Sequence, residues 1–261
     1  MNGPEAAVYL NRMVSNDVEA LQVGDACDAL LLTPKARIVA PMLVWRRGED
    51  SFLLLTEPEA GERLVRELVR ARFAAKCDIA VEEHRSIVVF GGGEEDFVVN
   101  HHKVVANDDY GVPAVELLDA DAPAEAEPIA EEELERLRIL AQTPRLGREL
   151  DERVMPAEAG LEHRAISFTK GCYPGQEPVA RLHFRGHPNR TLRLASVDEG
   201  ELPEYDAELV LDGKAVGRIT SAAPDPERGI VALAYVRREV PAGAMLELRD
   251  GRSARLLGEP A

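Results

Sequence analysis

From Gly186 to the C-terminus the chain breaks into short β-forming runs separated by turns, and no other feature constrains its fold as strongly. The runs fall at 192–197, 208–211, 215–220, 230–236, 245–248 and 254–257, with turn signals such as Asp212-Gly213 and Asp250-Gly251 between them. Asp-Gly supplies the positive φ that tight hairpins need, and strands this short and regular close into a small β-barrel or sandwich. No internal repeat is visible.

Upstream the texture is mixed. Residues 29–32, 38–45 and 52–55 read as strands, punctuated as hairpins by Pro34-Lys35 and by Gly48-Glu-Asp50. Residues 59–73 carry a helical stripe at Leu64, Val65, Leu68 and Val69. Strands are predicted over 79–83, 87–90 and 112–118, with Gly91-Gly-Gly93 as a loop that lacks a phosphate-binding spacing. Residues 119–130 are Ala, Pro and acid with little else, as in a linker. Residues 131–140 read as a helix whose three leading acids suit its N-terminal dipole.

The chemistry concentrates in Lys170-Gly-Cys-Tyr-Pro-Gly-Gln-Glu-Pro-Val179. Pro174-Gly175 is the favoured centre of a type II turn. The alternation over 165–170 predicts a strand running into that turn, and an extended chain would put Lys170 and Cys172 on one face. An ammonium there would favour the thiolate. Alternation also predicts a strand over 181–185, with Arg181, His183 and Arg185 on one face, able to fork carboxylates. Cys27 and Cys77 read as small core residues.

At 261 residues the chain can bury a substantial core. Its formal charge of −16 disfavours nucleic acid as a partner. Between Arg164 and Arg193, however, six Lys or Arg face one acid, Glu177, which makes a candidate anion site or simply a solvated strand face. No apolar run has the length of a membrane span. Three scattered cysteines and no basic-then-apolar leader predict a reduced, cytoplasmic protein without a disulfide framework. The adjacent His101-His102 do not match a metal-ligand spacing.

Lys-Gly-Cys-Tyr-x-Gly-Gln-Glu resembles the signature of the YgfZ family of folate-binding proteins, relatives of the glycine-cleavage T-protein. Met155-Pro-Ala-Glu-Ala-Gly-Leu161 and Val179-Ala-Arg-Leu-His-Phe-Arg-Gly186 agree with it. So do Leu10-Asn-Arg-Met-Val-Ser-Asn-Asp-Val18, Leu30-Leu-Leu-Thr-Pro-Lys35, Gly217-Arg-Ile-Thr-Ser221 and Ala232-Leu-Ala-Tyr-Val236. The resemblance implies an α+β fold: folate-binding T-protein-like domains around a central cavity over 1–185, then a small β-barrel over 186–261. It also implies that a strand preceding Asn2-Gly-Pro-Glu5 is missing, as from a misassigned start or the loss of an edge element. Ala36 and Gln142 stand where the family usually has glycine.

The T-protein carries paired aspartates where this chain has Ala40-Pro41, and a glutamate where it has Leu140; neither replacement can orient a proton. The resemblance therefore points to a tetrahydrofolate-binding accessory protein that supports assembly or repair of iron–sulfur clusters, without classical turnover. Its partners would be a reduced folate and iron–sulfur enzymes or cluster-assembly proteins. A folate-dependent aminomethyltransferase is the alternative. Cys172 and Lys170 would carry the chemistry. Glu158, Tyr173, Gly175, Gln176, Glu177, Arg181 and Arg185 would serve the folate, with Glu158 facing the pterin or simply capping a turn. Phe168 and Trp45 are further ring-stacking candidates.

Overall fold

Three apolar runs joined by tight turns pair as an antiparallel sheet in the order β1 (Ala26–Leu32), β2 (Ile38–Gly48) and β3 (Ser51–Leu55). This computed structural model describes residues 1–91 and 103–258; His101, His102, Gly92 and Gly93 lie outside the described residues. Before the sheet comes α1 (Ala6–Met13), and after it α2 (Pro58–Ala71), which opens on a proline where the missing N–H costs nothing. Next come β4 (Ser86–Phe90), β5 (Lys103–Asn107), β6 (Ala114–Leu118) and α3 (Glu131–Leu140). A 3-10 turn (Pro156–Ala159), α4 (Glu162–Ala165) and α5 (Gln176–Arg185) precede the last six strands. Those are β7 (Arg190–Val197), β8 (Glu208–Leu211), β9 (Lys214–Asp225), β10 (Gly229–Arg237), β11 (Met245–Leu248) and β12 (Ser253–Leu257).

By contact the chain forms two compact units, one of residues 1–81 and 145–191, the other of 82–144 and 192–261. In the first, α1 and α2 cover the β1–β3 sheet, and Leu10, Val14, Leu31, Val44, Phe52, Leu64 and Leu68 form its core. The backbone of Met1 and Asn2 pairs with Phe52, Ser51 and Asp78, so the outer edge of β3 is partly covered.

The second unit contains a closed six-stranded barrel in the order β10-β7-β12-β11-β8-β9 and a three-stranded sheet in the order β4-β6-β5. The barrel follows the predicted short strands closely, and β9 and β10 extend them. Nearly every residue of β10 is buried, because its inner side chains fill the barrel while α3 packs on the outside of β9 and β10. Charge fastens that helix. Arg138 donates to Ser221 Oγ at 2.8 Å and Arg136 to Asp225 Oδ2 at 3.0 Å. Burial opposes ionisation of Asp225, yet Arg136 and the N–H groups of Glu227 and Arg228 hold its carboxyl below the usual range.

Three expected strands are corrected. Residues 79–83 contain no strand, since Val81 and the acids after it face solvent with no sheet face to bury. Residues 166–170 are irregular, because their inward groups bond to α1 and the loop after it rather than to a neighbouring strand. Residues 181–185 belong to α5. A five-residue alternation fits either period, and the turn at Gly175 with Pro178 in the first helical turn selects the helix.

The ends of β4 and β6 are tied by His84, whose Nδ1 lies 2.7 Å from Asp119 Oδ2, with Glu82 on its other nitrogen at 3.2 Å. The bond to Asp119 raises the His84 pKa above 6.5, and the same bond lowers that of Asp119 below 3.8. A raised histidine stabilises below its unfolded pKa and a lowered aspartate above its own. The pair therefore stabilises between these two values and loses that contribution as pH rises through the folded His84 pKa. Urea unfolding of His84→Ala should show a clear deficit at about pH 5.5 that shrinks at about pH 8.5. An equal deficit at both would refute the linkage.

Candidate functional site

The motif begins with a lysine that turns inward. Lys170 is 9% exposed, and its Nζ donates to the carbonyls of Asn11 at 2.5 Å, Val14 at 2.8 Å and Asn16 at 2.6 Å. An ammonium has three protons, and all three are used. Asn11 and Val14 lie at the C-terminal end of α1, where carbonyls lack helical partners and the dipole favours a cation. The Tyr173 ring lies 5.4 Å from the same ammonium. Burial pulls the Lys170 pKa down to about 8, opposed by Asp17, Cys27 and Glu19.

The flanking residues stitch the same surfaces together. Ser15 Oγ donates to Ala165 O at 2.6 Å and accepts from Leu30 N at 2.9 Å. Ser167 N donates to Ser15 O, and Asn16 Nδ2 to Asp28 O at 2.7 Å. The family-like segment 10–18 is thus the receptor for residues 164–170, which lead into the motif.

Cys172 follows and is exposed. Tyr173 is buried; burial first, then Glu162, push its phenol up to about 12, and its hydroxyl has no hydrogen-bond partner among the described residues. Gly175 adopts φ 85° and ψ 0°, the third residue of a type II turn, and caps α5. A Cβ there would lie 2.6 Å from Thr33 O and 3.1 Å from Ala36 Cα, so only glycine fits. Ala36 itself has φ 56° and Gln142 φ 58°. Both departures from the family's glycines are therefore left-handed positions, each a strain of about 1–2 kcal/mol.

On α5, Glu177, Arg181 and Arg185 recur every four residues and share one exposed face, with Gln176 opening the helix. His183 points elsewhere: its ring stacks on Phe168 at 4.0 Å, and its Nδ1 lies 3.6 Å from Glu162 Oε1. Trp45 sits on β2 opposite Ala26 and Leu53.

The basic island does not form one surface. Arg164 pairs with Asp28 at 2.7 Å, Lys170 is buried, and Arg190 pairs with Glu158 at 3.0 Å. Arg193 is buried and donates to Val240 O. Arg181 and Arg185 remain as the exposed cations of this stretch. Of the other thiols, Cys77 is buried in the core and Cys27 packs partly buried against it; burial drives Cys27 up to about 12 and also raises Cys77.

Glu158 shows the capping contact. Its Oε2 accepts from Met155 N at 2.9 Å, its Oε1 from Arg190 Nε at 3.0 Å, and Arg37 lies 3.6 Å away. Glu158→Gln should lower stability by about 1–3 kcal/mol in denaturant titration, because a nearly buried carboxylate is lost beneath two guanidiniums. An unchanged midpoint would remove this anchor. Nothing local to Glu158 signals the Arg190 pairing, which joins residues 32 positions apart.

No family model matches the sequence. The chain is 25% identical to the tRNA-modifying protein YgfZ of Serratia proteamaculans, over all of this chain and 88% of that protein. It is 30% identical to the tRNA-modifying protein YgfZ of Vibrio vulnificus, over 80% of this chain and 70% of that protein. It is 24% identical to an aminomethyltransferase of Moorella thermoacetica, over 90% of this chain and 75% of that protein. The crystal structure of the glycine cleavage system aminomethyltransferase T from Bartonella henselae superposes with a TM-score of 0.81 at 20% identity, covering 99% of this chain and 81% of that one. No helix among the described residues is long and apolar enough to cross a membrane. With the motif, the glycine-only turn and these similarities together, the chain belongs to the YgfZ family and has the fold of the aminomethyltransferase T-protein.

Proposed function

We propose that this protein binds a reduced folate, tetrahydrofolate or a derivative, and supports assembly or repair of iron–sulfur clusters in client enzymes, with Cys172 as its functional thiol. The observation that carries the reading is a single turn and helix presenting an exposed thiol and an exposed pair of arginines. Arg181 and Arg185 stand one helical turn apart on one face, about 6 Å along the axis. That spacing suits the carboxylates of a glutamate tail, which arginine binds through two parallel hydrogen bonds. Gln176 and Glu177 lie beside them at the helix start, while Tyr173 and Gly175 shape the turn. Glu158 acts as a cap.

Against the transferase alternative stand Ala40 and Pro41, inside β2 and paired with Leu31 and Leu30. Ala40 is fully buried, and neither residue offers a carboxylate. The relatives' description as tRNA-modifying is compatible with a −16 chain if the protein serves the modifying enzyme rather than gripping the RNA. A cytoplasmic location fits this reading.

Calorimetric titration of tetrahydrofolate should give saturable binding to the wild type and at least tenfold weaker binding to folded Arg181→Ala, about 1.4 kcal/mol. A folded wild type that takes up no folate would remove the ligand from the proposal. In a strain lacking the gene, Cys172→Ser should fail to restore iron–sulfur enzyme activities that the wild type restores. Full restoration would exclude a thiol function, and turnover with a lipoyl carrier protein like that of a true T-protein would favour the transferase.

A further inference from the structure

We infer that Lys170 and Gly175 are positioning residues that clamp the Cys172 turn at both ends, so the motif's lysine serves the placement of the thiol and not its ionisation. The inference rests on Cys172 being the functional thiol. On the near side the clamp is electrostatic. The Lys170 ammonium is enclosed by three carbonyls and the Tyr173 ring, and every proton is committed. The charged groups it faces are Asp17 and Glu19, whose carboxylates stabilise its positive charge, and the nearby Cys27 thiol stays protonated because burial pushes its pKa up to about 12. On the far side the clamp is steric. Gly175 is pressed against the Thr33–Ala36 turn, with no room for one carbon atom.

Between the anchors the contacts are few. A Cβ on Gly171 would meet nothing within 4 Å, and Cys172 is exposed. The Tyr173 hydroxyl has no partner among the described residues, so the ring under Lys170 is what the turn uses. A short exposed loop with one reactive side chain is thus held by its ends. Lys170 cannot be replaced by arginine, whose planar fork does not fit three converging carbonyls.

The test reads two quantities on the full chain, neither needing folate or a client enzyme. One is the pH at half-maximal alkylation of Cys172 by iodoacetamide, followed on its own peptide by mass spectrometry. The other is amide exchange at Ser167, Gln176 and Val179, whose N–H groups donate to Ser15 O, Tyr173 O and Gly175 O at the two ends of the turn. Lys170→Met, Lys170→Arg and Gly175→Ala should each speed exchange roughly tenfold or more while the alkylation midpoint stays at the wild-type value. Gly171→Ala and Tyr173→Phe should change neither. If Lys170→Met does not fold, Lys170→Arg and Gly175→Ala make the same comparison.

A midpoint raised by about one pH unit in Lys170→Met and kept in Lys170→Arg, with exchange unchanged, would overturn the inference and make Lys170 the activator of the thiol. Unchanged exchange in Gly175→Ala would remove the steric anchor. Loss of folate binding by the wild type bears on the proposed function alone, because alkylation and exchange are measured without ligand.

Discussion

One buried ammonium closes the first unit. That unit is assembled from two stretches of chain, 1–81 and 145–191, and several polar contacts join them. Lys170 supplies the most demanding of these. Desolvating an ammonium is costly, and three carbonyl oxygens at the end of a helix return most of what water gave. The same carbonyls would otherwise be buried acceptors without donors. Ion and carbonyls are therefore each the other's remedy, and Ser15 with Ala165, Asn16 with Arg164, Asp28 with Arg164, and Arg37 with Glu158 extend the seam on either side.

This seam explains why the motif looks the way it does. A signature with lysine, cysteine and two glycines invites a chemical reading for every member. The geometry divides the labour: lysine and the second glycine hold, tyrosine lends a ring, and cysteine presents its thiol to solvent. An exposed thiol on a loose loop samples many orientations. Fixing both ends restricts it to one without burying it, which suits a group that must meet a partner in a defined direction.

Legibility in the sequence followed the range of the forces involved. The barrel was readable because hairpins are local: Asp-Gly turns and alternating runs determine most of it. The helix at 131–140 was readable from its own pattern and acids. The type II turn at Pro174-Gly175 was local too. By contrast, 181–185 satisfied strand and helix periods alike, and the decision lay upstream in the Gly175 cap. The inward turn of Lys170 was invisible, since its acceptors are some 154 to 159 residues away. Comparison with the family pattern flagged Ala36 and Gln142, and the backbone supplied the reason: both occupy a conformation that glycine adopts without strain.

The discontinuity of the first unit also has a dimension in time. Synthesis delivers α1 and the β1–β3 sheet well before the segment carrying Lys170. The intervening residues 82–144 alone occupy a ribosome for roughly 3–13 s at about 5–20 residues per second. Throughout that interval the end of α1 waits with its carbonyls in water. Folding of this unit is consequently a late event in the life of a nascent chain, and the cysteine emerges on the very segment whose arrival completes it.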